Sequence, residues 1–135
     1  MSSLIVFDTS IFVDHLRTGL HRERLVSLTG LVRTSAVVLA ELWRGAGRPA
    51  EKTFLRELES NHPILTPTEK NWQESGQLLG RMQADRGFSS AKLRDLHFDV
   101  LIALTARNQG ALLITSNKID FELIRKYREF KLEIW

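Results

Sequence analysis

Apolar residues along this chain fall into two kinds of run, and the two kinds alternate. "SLIVF" is short, continuous and partly β-branched, which is the pattern of a strand buried on both faces. "LVRTS", "HPILTP" (set between prolines), "ALLITS" and "FKLEIW" repeat that character further on. Between them the apolar spacing lengthens to that of helices. "SIFVDHLR" has helical spacing with Ser10 placed to cap it, and "HRERLVSL" adds a turn or two. "AVVLAELWRGAG" predicts a helix closed by Gly45 or Gly47. "PAEKTFLRELES" opens on Pro49 and sets Phe54, Leu55 and Leu58 on one face. "TEKNWQESGQLLGRMQAD" reads as a long amphipathic helix capped by Thr68, and "RGFSSAKLR" as a polar, mobile connection. "DLHFDVLIALTARNQG" is the most apolar helix, starting near Asp95 and ended by Gly110; "DFELIRKYR" is a short helix before the last strand.

Strands that alternate with helices and are themselves continuous apolar runs imply a mostly parallel central sheet covered on both faces. The expected fold is a three-layer α/β/α sandwich. No repeat, low-complexity tract or linker divides the 135 residues, so one domain over 1–135 is expected.

In such sheets ligands bind beyond the carboxyl ends of the strands. Asp8 stands at the carboxyl end of the first strand, and the end of "LLITSN" lies at the same edge. Glu41 and Asp99 each interrupt an otherwise apolar helix, and Asp120 follows three residues after Asn117. A buried ionised carboxylate is costly unless it is paired or bound to a metal. Each acid has an ordinary explanation. Asp8 and Asp120 suit helix N-termini, Glu41 suits a pair with Arg44 or Arg48, and Asp99 suits the first turn of a helix starting near Asp95. Together they suggest convergence.

Composition sharpens this. The absence of cysteine removes disulfides, thiolate catalysis and Cys-ligated zinc. His15, His21, His62 and His97 form no H-x-x-x-H pair, so a metal would be a hard ion held by oxygen. Convergent carboxylates raise one another's pKa, and Mg²⁺ or Mn²⁺ removes that penalty while activating water for phosphoryl chemistry. The net charge of +3 suits a nucleic-acid partner or simply a basic surface. There is no G-x-x-x-x-G-K-[ST] loop and no Asp-x-Asp pair after the first strand, which speaks against P-loop enzymes and phosphatases. No apolar run approaches the roughly 18–20 residues of a membrane span, and "SSLIVFD" lacks the regions of a signal peptide. A cytoplasmic protein without membrane contact is expected.

Three segments in order, "IVFDTSIFVDHLR", "TSAVVLAELWRGA" and "FDVLIALTARNQGALLITSNKIDFELI", resemble those of PIN-domain ribonucleases. Within that family the chain looks like the VapC-like toxins of toxin–antitoxin pairs, and the likeness covers essentially its whole length. The resemblance implies a PIN-like fold and an Mg²⁺- or Mn²⁺-dependent endoribonuclease that hydrolyses RNA phosphodiesters with metal-activated water. It also implies a homodimer and a cognate antitoxin, with DNA met only through that antitoxin. Asp8, Glu41 and Asp99 would then be the metal-binding, catalytic acids. Where the family often carries Asp soon after the T-x pair, this chain has Asn117, so either the Asn117 amide or the Asp120 carboxylate completes the site.

Thr9, Ser10 and Thr115 would support the acids, and Arg44 and Arg48 would contact substrate phosphates. Asp95 lies on roughly the same face as Asp99, and Asp14 reads as structural. His97 reads as a partly buried helix histidine, and "IRKYR" as a solvated face or a stacking surface around Tyr127. Two other readings stand beside the toxin: a PIN-domain nuclease with no antitoxin, and a binding or regulatory module weakened by Asn117.

Overall fold

The computed structural model describes residues 3–135. β1 (Leu4–Phe7) leads into α1 (Thr9–Thr18) and a short α2 (Arg22–Ser27). β2 (Leu31–Ser35) is followed by α3 (Ala36–Gly45) and α4 (Pro49–Asn61). β3 (Ile64–Leu65) precedes the two longest helices, α5 (Glu69–Arg86) and α6 (Ser90–Asn108). β4 (Leu112–Thr115), α7 (Lys118–Tyr127) and β5 (Lys131–Ile134) follow.

All five strands run parallel, in the order β3-β2-β1-β4-β5. The expected α/β architecture with a parallel central sheet is therefore observed. From β1 the chain builds outward to one side through β2 and β3, then returns to the other side through β4 and β5. Such a reversal opens a crevice at the carboxyl ends of the two strands where it occurs, here β1 and β4. α1 packs on α3 and α3 on α4, while α5 packs along α6 and α6 on α7. Right-handed crossovers put these two groups on opposite faces of the sheet.

The core explains why the strands carry no polar alternation. Val6, Leu113 and Ile114 are fully buried, as are Ile11, Val38 and Phe121 from the flanking helices. α6 is the central helix, and every residue from Val100 to Ala106 is buried. The hydroxyl of Thr105 in that stretch is satisfied by donating to the Leu101 carbonyl at 2.7 Å. Truncating Leu101 to Ala would cost about 2–5 kcal/mol, the range for a fully packed site.

Two boundaries differ from expectation, whereas α3 ends at Gly45, one of the two expected closures, with Ala46 as its cap. The first helix is capped by Asp8, whose carboxylate accepts the Ser10 amide, so Ser10 lies inside the helix. The segment read as a mobile connection is mostly helix. Gly87 closes α5 in the left-handed region (φ 65°), and Ser89 already accepts the Lys92 amide at 3.2 Å as the cap of α6. α6 thus starts five residues before Asp95, and Asp99 stands well inside it rather than in its first turn. No helix among the described residues is long and apolar enough to cross a membrane.

Candidate active site

The first strand ends on a carboxylate because that carboxylate joins two strands and a helix. The Asp8 amide donates to the Ile114 carbonyl at 2.9 Å, extending the β1–β4 pairing to the edge of the sheet. Its Oδ2 then accepts three donors: the Ser10 hydroxyl at 2.7 Å, the Thr115 hydroxyl at 2.8 Å and the Ser10 amide at 3.3 Å. Asp8 is only 3% exposed. Burial pushes its pKa up, and the hydrogen bonds from Ser10, Thr115 and the Thr9 backbone only partly oppose that shift.

Glu41 comes from the middle of α3 and faces the same edge. Its Oε1 accepts the Thr9 hydroxyl at 2.7 Å, so the residue after Asp8 holds the second acid. The salt bridge to Arg44 or Arg48 suggested by helical spacing does not form. Burial raises the Glu41 pKa; the Thr9 hydrogen bond opposes this, the charge of Asp8 adds to it, and Arg44 opposes it again.

Asp99 projects from α6 toward the same acids and accepts no hydrogen bond from any described residue. Its pKa is pushed up to about 8, first by burial and then by the charges of Asp8, Glu41 and Asp120, with Lys92 acting the other way. The charges of Asp8, Glu41 and Asp120 thus all act on Asp99, and that of Asp8 acts on Glu41.

Asp120 lies in the first turn of α7, and Asn117 is the cap: its Oδ1 accepts the Asp120 amide at 3.4 Å. The Asn117 amide group donates to Asp120 Oδ2 at 3.2 Å, and Lys92 Nζ pairs with Asp120 Oδ1 at 2.9 Å. Both oxygens of this acid are thus engaged by the protein. Thr115 also accepts the Asn117 amide N–H at 2.9 Å, which ties the turn back to the Asp8 cluster.

Glu41, Asp99 and Asp120 line one cleft of about 580 Å³ together with Arg44, Arg94, Asp95, His97 and Phe98. Arg48 does not line this cleft; it caps the exposed start of α4. Asp95 is exposed at the rim. His97 bridges to α5, within 3.1 Å of the Ser75 hydroxyl and edge-on to Trp72. Tyr127 donates to Asp85 at 3.0 Å and lies beneath Arg81 and Arg86, so its ring already has partners.

A hard cation suits these residues. The acids offer only oxygen, Asp99 is free of donors, and burial raises the pKa of Asp8, Glu41 and Asp99, so their ionised forms are disfavoured unless a cation compensates them. Among the described residues no three His, Asp or Glu side chains already close on a single point.

Sequence reasoning missed Lys92, Arg94 and Ser116. The two basic residues were hidden in the presumed connection, and only the true start of α6 puts Lys92 seven residues before Asp99 on nearly the same helical face. The Ser116 amide donates to Ser10 Oγ at 3.1 Å and its hydroxyl to Asp14 Oδ2 at 2.8 Å. Asp14 also meets His21 Nε2 at 3.2 Å. Asp14 is thus a buttress behind the cluster, the structural role its sequence position suggests.

A family model for the PIN domain matches residues 5–127. No curated protein matches the sequence significantly. Among solved structures, VapBC from Salmonella typhimurium, bound to DNA, has a chain 23% identical, with 100% of this chain and 99% of that one covered and a TM-score of 0.71. VapBC2 from Rickettsia felis, bound to a DNA fragment from its promoter, matches at 22% identity, 98% of both chains and TM-score 0.71. VapBC-5 from Mycobacterium tuberculosis, a member of the VapBC family of toxin–antitoxin systems, matches at 22% identity, covering 98% and 99%, with TM-score 0.65. At these identities the likeness is one of fold.

Proposed function

The chain belongs to the PIN-domain family, and from that membership we propose that it is a divalent-metal-dependent endoribonuclease, the toxin of a toxin–antitoxin pair. PIN domains are generally nucleases. The observation that carries the reading is that the charges of Asp8 and Glu41 both act on the buried Asp99, beside a cleft lined by Glu41 and Asp99 with arginines in its wall.

Asp8, Glu41 and Asp99 would hold Mg²⁺ or Mn²⁺. Bound there, such an ion supplies a lowered pKa for water and stabilises charge developing on a phosphoryl oxygen. The chain's own residues do the rest. Ser10 and Thr115 fix the Asp8 carboxylate, and Thr9 fixes that of Glu41. Fixed donors of this kind reduce the reorganisation needed when charge moves during in-line attack on the phosphodiester. Arg44 and Arg94 present guanidinium groups to the phosphates flanking the scissile bond. Asn117 would support Asp120 rather than hold the metal itself, since its amide oxygen accepts the Asp120 amide at the start of α7.

A second groove supports the partner assignment. Val13, Leu16, Leu42 and Leu55 line it between α1, α3 and α4, with Arg17 beside them, and it runs to Thr9 and Glu41. An amphipathic segment of an antitoxin laid there would end at the acidic cleft and block it. We take the working form as a cytoplasmic homodimer of a single-domain chain, with DNA reached only through the antitoxin.

The test is cleavage of structured RNA by the purified chain, free of any partner, alongside Asp99→Asn, in Mn²⁺, Mg²⁺ or EDTA. Cleavage by the wild type alone, lost in EDTA, is expected. Equal cleavage by both proteins would remove Asp99 from the site, and no cleavage together with no metal binding would favour a binding module.

A further inference from the structure

Lys92 is oddly placed for a helix. It lies in the first turn of α6, where the helix dipole is positive, and no acidic residue in that turn offsets it. Its ammonium reaches out of α6 to Asp120 on α7, at 2.9 Å from Oδ1. The Lys92 side chain is 38% exposed and that of Asp120 19%, so this pair sits at the shoulder of the cleft rather than on open surface. Asn117 takes the other oxygen of Asp120. The four acids therefore divide. Both oxygens of Asp120 are engaged by the protein, whereas the whole Asp99 carboxylate has no hydrogen-bond donor among the described residues.

We propose that Lys92 is a tethered counter-cation that closes Asp120 to metal ions, so that the acidic cleft of this chain takes one divalent cation, on Asp8, Glu41 and Asp99, instead of two. The inference rests on the metal-dependent reading above. An ion entering at Asp120 would have to displace the ammonium and then remain next to it. Two positive charges a few ångströms apart in a partly buried cleft repel strongly. Lys92 supplies at that shoulder a fixed positive charge that needs no metal, and the remaining three carboxylates are enough for one oxygen-seeking ion that keeps several waters.

The experiment counts bound Mn²⁺ by calorimetry and by electron paramagnetic resonance for the wild type, Lys92→Met, Asp120→Asn and Asp99→Asn. One ion is expected on the wild type. Lys92→Met should gain a second ion, and the double variant with Asp120→Asn should lose it again. Asp120→Asn alone should keep wild-type affinity within about threefold, while Asp99→Asn loses about tenfold or more. Two ions on the wild type, a single ion on Lys92→Met, or an Asp120→Asn loss equal to that of Asp99→Asn would each overturn the inference and leave the nuclease reading standing. No ion on any of the proteins would instead remove the metal-dependent reading, and this inference with it.

Discussion

The hydroxyl of Thr115 lies 2.8 Å from Asp8 Oδ2, joining the ends of two neighbouring parallel strands through a single hydrogen bond. Thr115 is fully buried and also accepts the Asn117 amide N–H, so one side chain fixes the first acid and starts the turn into α7. Thr115→Val keeps the shape and removes the hydroxyl. We expect Mn²⁺ affinity and RNA cleavage to fall by about 10–100-fold, the usual effect of losing a residue that orients a metal ligand. Stability should drop by about 1–3 kcal/mol, because the Asn117 N–H loses its acceptor. Calorimetry and a denaturant melt measure the two effects separately. Unchanged metal affinity would mean that Ser10 alone orients Asp8.

The two candidate phosphate-binding arginines are separated by their surroundings. Arg44 lines the acidic cleft, whereas Arg48 caps α4 away from it. Arg44→Ala should raise KM for RNA by about five- to tenfold with a shallower salt dependence, as expected for loss of one partly exposed phosphate contact. Arg48→Ala should leave KM within about twofold. Steady-state cleavage at two salt concentrations distinguishes them, and a larger effect at Arg48 would place the RNA path over α4.

Much of the candidate site stands out in the sequence because its acids break strong local patterns. Asp8 ends a buried strand, and Glu41 and Asp99 interrupt apolar helices, so each stands out before any fold is known. The parallel sheet was legible for a related reason: β1 and β4 are buried on both faces and show no polar alternation. Lys92 was not legible. "RGFSSAKLR" is polar, and its helical state depends on the Ser89 cap and on Leu93 packing against the core, neither of which shows as periodicity. The role of Ser116 was hidden too, because its partner Asp14 is 102 residues away in the chain.

Asp14 should separate stability from chemistry. It receives the Ser116 hydroxyl and meets the buried His21, joining α1, the start of α2 and the turn after β4. Asp14→Ala removes both contacts and leaves the hydrogen bonds to Asp8 from Ser10 and Thr115 in place. A loss of about 1–3 kcal/mol in folding stability is expected. Mn²⁺ affinity should change by less than about threefold, since Asp8 keeps its own donors from Ser10 and Thr115. A metal-affinity loss as large as that of Thr115→Val would instead make the buttress part of the binding machinery.

The raised carboxyl at Asp99 ties stability to pH in a direction that can be measured without any RNA. Its ordinary value is 3.8 and its folded value is about 8. Below pH 4 the group is protonated in both the folded and the unfolded chain, and it costs nothing. As pH rises from about 4 to 8, the unfolded chain releases the proton while the folded chain keeps it, so folding becomes steadily less favourable. Above pH 8 both forms are ionised and the penalty is constant. Burial raises Asp8 and Glu41 as well, which adds to the same trend. In EDTA at pH 8, Asp99→Asn should therefore melt about 5 °C or more above the wild type, and at pH 4 the two should coincide. Saturating Mn²⁺ should reverse the order at pH 8, because a divalent ion stabilises the ionised wild-type cluster and binds the variant less well. A gain that is equal at both pH values would show that Asp99→Asn acts through packing and not through the charge of the acid cluster.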